Sequence, residues 1–278
     1  MGKSASTVAI GNYELGGDRP VFILGPCVIE SEAFLLDVAP RIKAITDEVG
    51  VDLVFKASYD KANRSSIHSF RGPGCEPGCK LLRWVGDELG VPVTTDIHSV
   101  EEATIAGEFI DILQVPAFLC RQTDLLEAAA KTRRVVNVKK GQFLAPWDVT
   151  NIAAKLDAFG CEQYFITERG SSFGYNALVA DMRSIPWIQE DGMRVVFDAT
   201  HSVQRPGGQG TSSGGDGRLA PVLARAAVAA GCDGIFMETH PEPEKALSDG
   251  PNQVPLHELA GVLNQLNQIY QTVRATSA

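Results

Sequence analysis

No window of this chain is long and apolar enough to span a bilayer as a helix, which removes membrane functions of that kind. Residues Met1–Thr7 lack the apolar core of a secretory signal, so a cytoplasmic protein is expected. Gly2 and Ser6 fit the myristoylation pattern, which is short and often matched by chance. A surplus of positive charge is missing too. The net charge of −9 repels nucleic acid and anionic membrane, so an anionic ligand would need a local pocket of cations. No Pro/Ser-rich linker separates two halves. A chain of 278 residues, 44% hydrophobic and 21% charged, is ordinary for one large globular domain or two small ones. Cysteine is sparse: Cys27, Cys75, Cys79, Cys120, Cys161 and Cys232 are scattered through a chain too large to need staples, and read as reduced thiols. Cys75 and Cys79, in Arg71-Gly72-Pro73-Gly74-Cys75-Glu76-Pro77-Gly78-Cys79, lack the usual zinc spacing and read as part of a Gly/Pro-rich loop.

What is present is a rhythm. Val8 and Ile10, then Gly11-Asn12, then Tyr13 and Leu15 suggest a small hairpin within residues 1–20. From Val21 onward, apolar runs at 21–26, 51–56, 91–95, 112–116, 135–139, 163–167, 194–198 and 234–238 read as strands. Between and after them, helical periodicity occupies Glu32–Val49, Lys80–Leu89, Ser99–Glu108, Thr123–Lys131, Trp147–Phe159, Asn176–Ile188, Leu219–Ala230 and Leu256–Val273. Strands alternating with helices imply a parallel sheet, because each crossover needs a helix. At this length, and with no dinucleotide glycine fingerprint after the first strand, the expectation is an α/β fold of TIM-type (β/α)8 barrel architecture over residues 21–278.

Each strand leaves an apolar interior and lands on polar or ionisable groups. The ends are Gly25-Pro26-Cys27; Lys56; Thr94-Thr95-Asp96-Ile97-His98; Gln114-Val115-Pro116; Asn137, Lys139 and Lys140; Thr167-Glu168-Arg169-Gly170; Asp198-Ala199-Thr200-His201; and Glu238-Thr239-His240. In a β/α barrel those ends share one mouth, which makes it the expected active site. The second strand adds Lys61 and Arg64 among Ser58, Asn63, Ser65 and Ser66, a mixture of cations and hydroxyls suited to phosphate. The glycine-rich segment Ser202–Arg218 reads as a mobile lid, and Asp249-Gly250-Pro251 as a turn that swings an aspartate over the barrel.

Cys27, His201, Glu238 and Asp249 arriving at one mouth would make a divalent metal site, and the mixed donors admit iron(II), zinc, manganese or cobalt. Each alone has a plainer reading: a small buried hydrophobe for Cys27, a satisfied polar residue or general acid-base for His201. Lys56, Lys61, Lys139 and Arg169 would form one anion pocket, and Arg64 with Ser65 a second, while Asp96, Glu168 or Asp198 could neutralise part of the set.

The strings Gly25-Pro26-Cys27, Lys56-Ala57-Ser58, Asp60-Lys61-Ala62-Asn63-Arg64-Ser65-Ser66, Pro116-Ala117-Phe118-Leu119, Arg121-Gln122-Thr123-Asp124, Asn137-Val138-Lys139-Lys140-Gly141-Gln142-Phe143 and Asp198-Ala199-Thr200-His201-Ser202-Val203-Gln204 resemble the 3-deoxy-D-manno-octulosonate 8-phosphate synthases. Thr167-Glu168-Arg169-Gly170 and Met237-Glu238-Thr239-His240-Pro241 extend that resemblance over nearly all of Val21–Leu259. It implies a homotetrameric barrel that condenses phosphoenolpyruvate with arabinose 5-phosphate and water, releasing phosphate, on the way to the inner sugar of lipopolysaccharide. It implies that Lys56, Lys61, Lys139 and Arg169 bind phosphoenolpyruvate. Asn63, Arg64 and Ser65 would bind the sugar phosphate, with Arg121 reaching it in a neighbouring subunit. Ser58, Asp96, Gln114 and Phe118 complete the expected substrate-binding set, and His201, Asp249, Lys139 and Asn63 are the expected catalytic residues. Cysteine at position 27 is similar to the metal-dependent branch of that family, with His201, Glu238 and Asp249 as the other ligands. Gly250-Pro251 after the aspartate is instead similar to the metal-free branch. The rival enzyme reading, condensation with erythrose 4-phosphate, is disfavoured because that family carries Lys-Pro-Arg-Thr where this chain has Lys61-Ala62-Asn63-Arg64-Ser65. A sialic-acid-type synthase is disfavoured for want of an extra domain after Arg274, and a non-catalytic sugar-phosphate-binding barrel because no catalytic position looks lost.

Overall fold

Short apolar runs too brief for helices pair as strands, and the amphipathic segments between them carry the chain back across the sheet. The computed structural model describes residues 7–64, 66–205 and 214–277. It opens with a hairpin, β1 (Val8–Ile10) and β2 (Tyr13–Leu15), paired antiparallel. Then follow β3 (Val21–Gly25), α1 (Glu32–Val49), β4 (Asp52–Lys56), α2 (Cys75–Leu89), β5 (Val93–Asp96), α3 (Val100–Phe109), β6 (Ile112–Val115) and α4 (Thr123–Lys131). The second half contains β7 (Val135–Lys139), α5 (Val149–Ala158), β8 (Tyr164–Glu168), a small ladder of β9 (Ser171–Ser172) with β10 (Leu178–Val179), and α6 (Ser184–Glu190). It continues with β11 (Val195–Asp198), a second ladder of β12 (Gln204–Arg205) with β13 (Gly214–Gly215), α7 (Ala220–Ala229), β14 (Gly234–His240), β15 (Val254–Pro255) and α8 (Leu256–Ser277). β14 pairs in parallel with both β11 and β3, so the eight strands β3 to β8, β11 and β14 close into a (β/α)8 barrel.

Two apolar layers hold it. Residues on the outward strand faces pack against the helices, as Phe22, Leu53 and Leu113 do with Leu35, Leu82 and Leu263. Inside the barrel, Val21, Ile23, Val54, Ile112, Phe165, Val196 and Phe236 form a second cluster joined by Val8, Ile10 and Leu15 of the hairpin. The hairpin therefore closes the floor of the barrel and leaves the carboxyl ends of the strands as the open mouth. Ser31 and Ser99 cap α1 and α3 by accepting from the backbone N–H of Phe34 and Glu102. Among the described residues, no helix is long and apolar enough to cross a membrane.

Two expectations are corrected. The 75–79 segment is the first turn of α2 and not a loop. Pro77 is compatible with helix there because the first four N–H groups have no intrahelical partner. The helix expected over Asn176–Ile188 starts only at Ser184. Gly174 and Asn176 take positive φ (66° and 54°) in the turn that joins β9 to β10, and Pro186 sits in the helix's first turn, where proline is tolerated. Of the lid expected over Ser202–Arg218, the β12–β13 stem is described, and 206–213 lie outside the described residues.

Candidate active site

Polar residues at the ends of β4, β7, β11 and β14 meet because closure brings those strands round one axis. Lys56 Nζ donates to Glu238 Oε1 at 2.6 Å and to the Cys27 carbonyl at 2.9 Å. Lys139 Nζ donates to Asp198 Oδ2 at 2.6 Å and stands 3.5 Å over the ring of Phe236, an inward residue of β14. All four ionised groups are buried. Burial pushes the Asp198 carboxyl up, but His201 and Lys139 outweigh it and hold it below the usual range; Lys56 and His201 do the same for Glu238. Burial lowers Lys139, with Asp198 pulling the other way.

Beside this pair of ion pairs runs a hydrogen-bonded arc across neighbouring strands. Thr167 donates to Asn137 (2.6 Å), Asn137 to Gln114 (2.9 Å), and Gln114 to Asp96, which also accepts from Ser58 at 2.6 Å. Burial raises the Asp96 carboxyl, but Lys61, Lys56 and Lys139 hold it below its ordinary value. The arc satisfies groups that would otherwise be costly to bury, and fixes the orientation of Asp96 and Gln114.

Above these groups opens a cavity of about 670 Å³. Of the expected substrate residues, Lys56, Lys61, Asn63, Arg64, Asp96, Gln114, Phe118, Lys139 and Arg169 line it. Ser58 does not line it but donates to Asp96, which does. Arg121 does not line it: this side chain is exposed, and its carbonyl accepts from Lys155 at 2.9 Å. Ser65 lies outside the described residues. Lys140 turns away from the mouth, donating to the Leu144 carbonyl at 3.1 Å and standing 3.5 Å from Glu168.

The expected metal ligands gather at one wall. Ligand atoms of Cys27, Glu238 and Asp249 lie within 4.8 Å of one another. His201 joins through Nε2, 3.8 Å from Glu238 Oε1, while its Nδ1 is 2.8 Å from Asp198 Oδ2. Cys27 Sγ is 2.8 Å from the Ser248 hydroxyl and 3.5 Å from Asp249 Oδ2. Burial pushes the Cys27 thiol up, and Glu238 adds to that, whereas a cation among these donors would reverse the effect. The second oxygen of Glu238, Oε2, is buried with no hydrogen-bond partner. A thiol, two carboxylates and an imidazole, one of them holding an orphaned oxygen, fit a divalent cation. His240 stays out of this group, stacked on Phe34.

Asp249 reaches the wall from a turn with φ of 47°, followed by Gly250, where a Cβ would stand 2.3 Å from the Pro243 carbonyl oxygen. The glycine after the aspartate thus answers a steric demand of this turn. Arg64 lies 3.7 Å from Asp249 and Lys61 3.8 Å from Glu238, so the loop after β4 leans over the same wall. Burial lowers Lys61, but Cys27 and Glu238 outweigh it and raise it.

Several cavity residues escaped the sequence reading. Gln204 accepts from Arg169 Nη2 at 3.1 Å and lies 3.4 Å from Asp249 Oδ1, joining cation and carboxylate. Its place three residues after His201 was the available signal. Ser248 adjoins Asp249 but gains meaning only from Cys27, which is distant in sequence. Asp60 also lines the cavity, as does His98, the strand-end residue expected at the mouth, 3.0 Å from Glu102.

A family model described as the DAHP synthetase I family matches residues 4–275. The chain belongs to that family. Members similar to it include the 2-dehydro-3-deoxyphosphooctonate aldolases of Geobacter sulfurreducens and Geobacter metallireducens, each 58% identical over 96% of this chain and 98% of their own. That of Geotalea daltonii is 56% identical over the same shares. The DAHP synthetase I family membership thus spans both the hairpin and the barrel, including every residue placed above around the cavity.

Proposed function

We propose that the chain condenses phosphoenolpyruvate with arabinose 5-phosphate and water, forming 3-deoxy-D-manno-octulosonate 8-phosphate and phosphate, and so supplies the inner sugar of lipopolysaccharide. The observation that carries this reading is the convergence of Lys56, Lys61, Lys139 and Arg169 on one cavity, with Asn63 and Arg64 on its rim. The names of the relatives, which designate the eight-carbon sugar acid, support it. In this reading, the four cations hold the phosphate and carboxylate of phosphoenolpyruvate, which lets water add to its double-bonded carbon as charge develops. Asn63 and Arg64, with Ser65, hold the phosphate of the sugar, and Asp96, Gln114 and Phe118 border its path. The methylene carbon then attacks the sugar aldehyde, which a second water positioned by His201 and Asp249 orients, and the C–O bond to phosphate breaks to release it.

We assign Cys27, His201, Glu238 and Asp249 to a divalent metal, one of iron(II), zinc, manganese or cobalt. Such an ion would polarise the aldehyde or orient a water. The unpartnered Glu238 oxygen and the grouping of thiol and carboxylates support the assignment. The exposed Arg121 is assigned to a neighbouring subunit's sugar-phosphate site in a homotetramer, and the reaction to the cytoplasm.

Phosphate release measured side by side with arabinose 5-phosphate and erythrose 4-phosphate tests the reaction. Preference for the four-carbon sugar would overturn it. Metal analysis of the purified protein, with assays before and after chelation, tests the ion. Cys27→Ala is expected to lose bound metal and most activity, and undiminished turnover in thorough chelator would sink the metal role.

A further inference from the structure

The pair of thiols at the start of α2 plays no part in the chemistry above, yet its surroundings are specific. Cys75 and Cys79 sit one turn apart on α2, and the Cys75 thiol donates to the Glu102 carbonyl at 3.8 Å. Cys75 is partly exposed and Cys79 buried, the arrangement of an attacking and a resolving thiol. The neighbouring Cys79 thiol holds Cys75 below its ordinary range, with burial opposing, and the helix N-terminus favours a thiolate there. Glu102 also accepts from the Tyr59 hydroxyl at 2.9 Å and is 3.0 Å from His98 of the cavity.

This turn is also coupled to the loop after β4. The Gly74 N–H donates to the Tyr59 carbonyl at 3.1 Å, and the Lys61 N–H to the Arg71 carbonyl at 2.9 Å. A Cβ on Gly78 would stand 2.4 Å from Tyr59 Cβ, so helix and strand end touch without slack. These contacts tie the first turn of α2 to Tyr59 and to the segment carrying Lys61, Asn63 and Arg64.

We propose that Cys75 and Cys79 are an oxidative modification site, at which a hydroperoxide closes the two thiols into an intrahelical disulfide and thereby withdraws the sugar-phosphate loop from the cavity. The Cys75 thiolate attacks one oxygen of hydrogen peroxide; the O–O bond breaks, hydroxide leaves, and a sulfenic acid forms. The Cys79 thiol then attacks that sulfur, the S–O bond breaks, and the departing hydroxide takes the Cys79 proton as water. Two electrons pass from the sulfurs to the peroxide. Helical side chains four apart have Cβ atoms about 5–6 Å apart, and a disulfide needs about 3.5–4.5 Å, so closure must distort the turn. Pro77 donates no N–H, so the backbone bond at stake in that turn is the one from the Gly78 N–H to the Gly74 carbonyl at 3.1 Å.

Only the consequence for turnover rests on the proposed reaction; the disulfide itself does not. The experiment treats the full chain with hydrogen peroxide, alkylates free thiols, digests with trypsin and weighs the peptide of residues 72–80, which contains both cysteines and no other. The expected peptide is lighter by two hydrogens and resists alkylation until reduced. Turnover falls by roughly tenfold or more and returns with reductant. Cys75→Ser keeps its activity in peroxide, and Cys79→Ser stops at a sulfenic acid that dimedone traps. A peptide that remains fully alkylated, or inactivation of Cys75→Ser as fast as the parent chain, overturns the proposal. So does a disulfide that leaves turnover unchanged. If the chain condenses neither sugar phosphate, the proposed reaction fails while the peptide mass still decides the modification.

Discussion

Lys139 shows how one side chain carries both charge and shape at the cavity floor. Its ammonium is paired with Asp198 at 2.6 Å and lies over Phe236, so it is held where an anion entering the cavity must meet it. Removing one partner of a buried pair leaves the other uncompensated, at roughly 3–5 kcal/mol. His201 remains 2.8 Å from Asp198, so Lys139→Met is expected at the low end, about 3 kcal/mol, read as a lower urea midpoint with an unchanged slope. His98 gives a pH signature. Burial lowers its imidazolium, but the Glu102 hydrogen bond and the Asp96 charge prevail and raise it above its ordinary value. Its pairing with Glu102 therefore adds stability that is complete below about pH 6.5 and is lost as pH rises through the raised value. The melting-temperature gap between the parent chain and His98→Gln is expected to be widest in mild acid and to close in alkali. A gap that widens with pH would contradict that assignment.

At the scale of elements, the hairpin and the turn after β14 have opposite roles. β1 and β2 bury Val8, Ile10 and Leu15 against the inward face of the strands, at the end away from the ion pairs. Ile10→Ala removes buried methylenes from a closed cluster and is expected to cost about 2–5 kcal/mol, with the Michaelis constants of the surviving enzyme unchanged. A shift in those constants would mean that the floor communicates with the mouth. The turn at Asp249 instead builds the wall, because its left-handed residue and the glycine behind it aim one carboxylate at Cys27.

For the molecule as a whole, a net charge of −9 surrounds a mouth lined by cations. Those cations sit buried among Glu238, Asp198 and Asp96, and buried pairs are screened far less than exposed ones. The Michaelis constant for phosphoenolpyruvate is therefore expected to change by less than about threefold as ionic strength rises to about 0.15 M, where the Debye length is about 8 Å. A steep rise would show that an exposed field does the capturing.

The order of strands and helices, the closure of the barrel, the N-terminal hairpin and the polar strand ends were readable along the chain, since each depends on local periodicity and chain length, whereas α2 starts earlier and α6 later than periodicity suggested. Lys56, Lys139, Arg169 and Asp249 could be chosen because strand ends and an Asp-Gly-Pro turn announce themselves in a few letters. Which carboxylate neutralises which cation could not be read: Lys56 and Glu238 are 182 residues apart, and Lys139 and Asp198 are 59 apart. The same holds for Ser248 against Cys27 and for Gln204 between Arg169 and Asp249. The helical start at Cys75 was hidden because Gly and Pro mark loops and first helical turns alike. Local order is encoded by neighbours in sequence, whereas the pairing of buried charges is decided only when barrel closure sets the distances between strands.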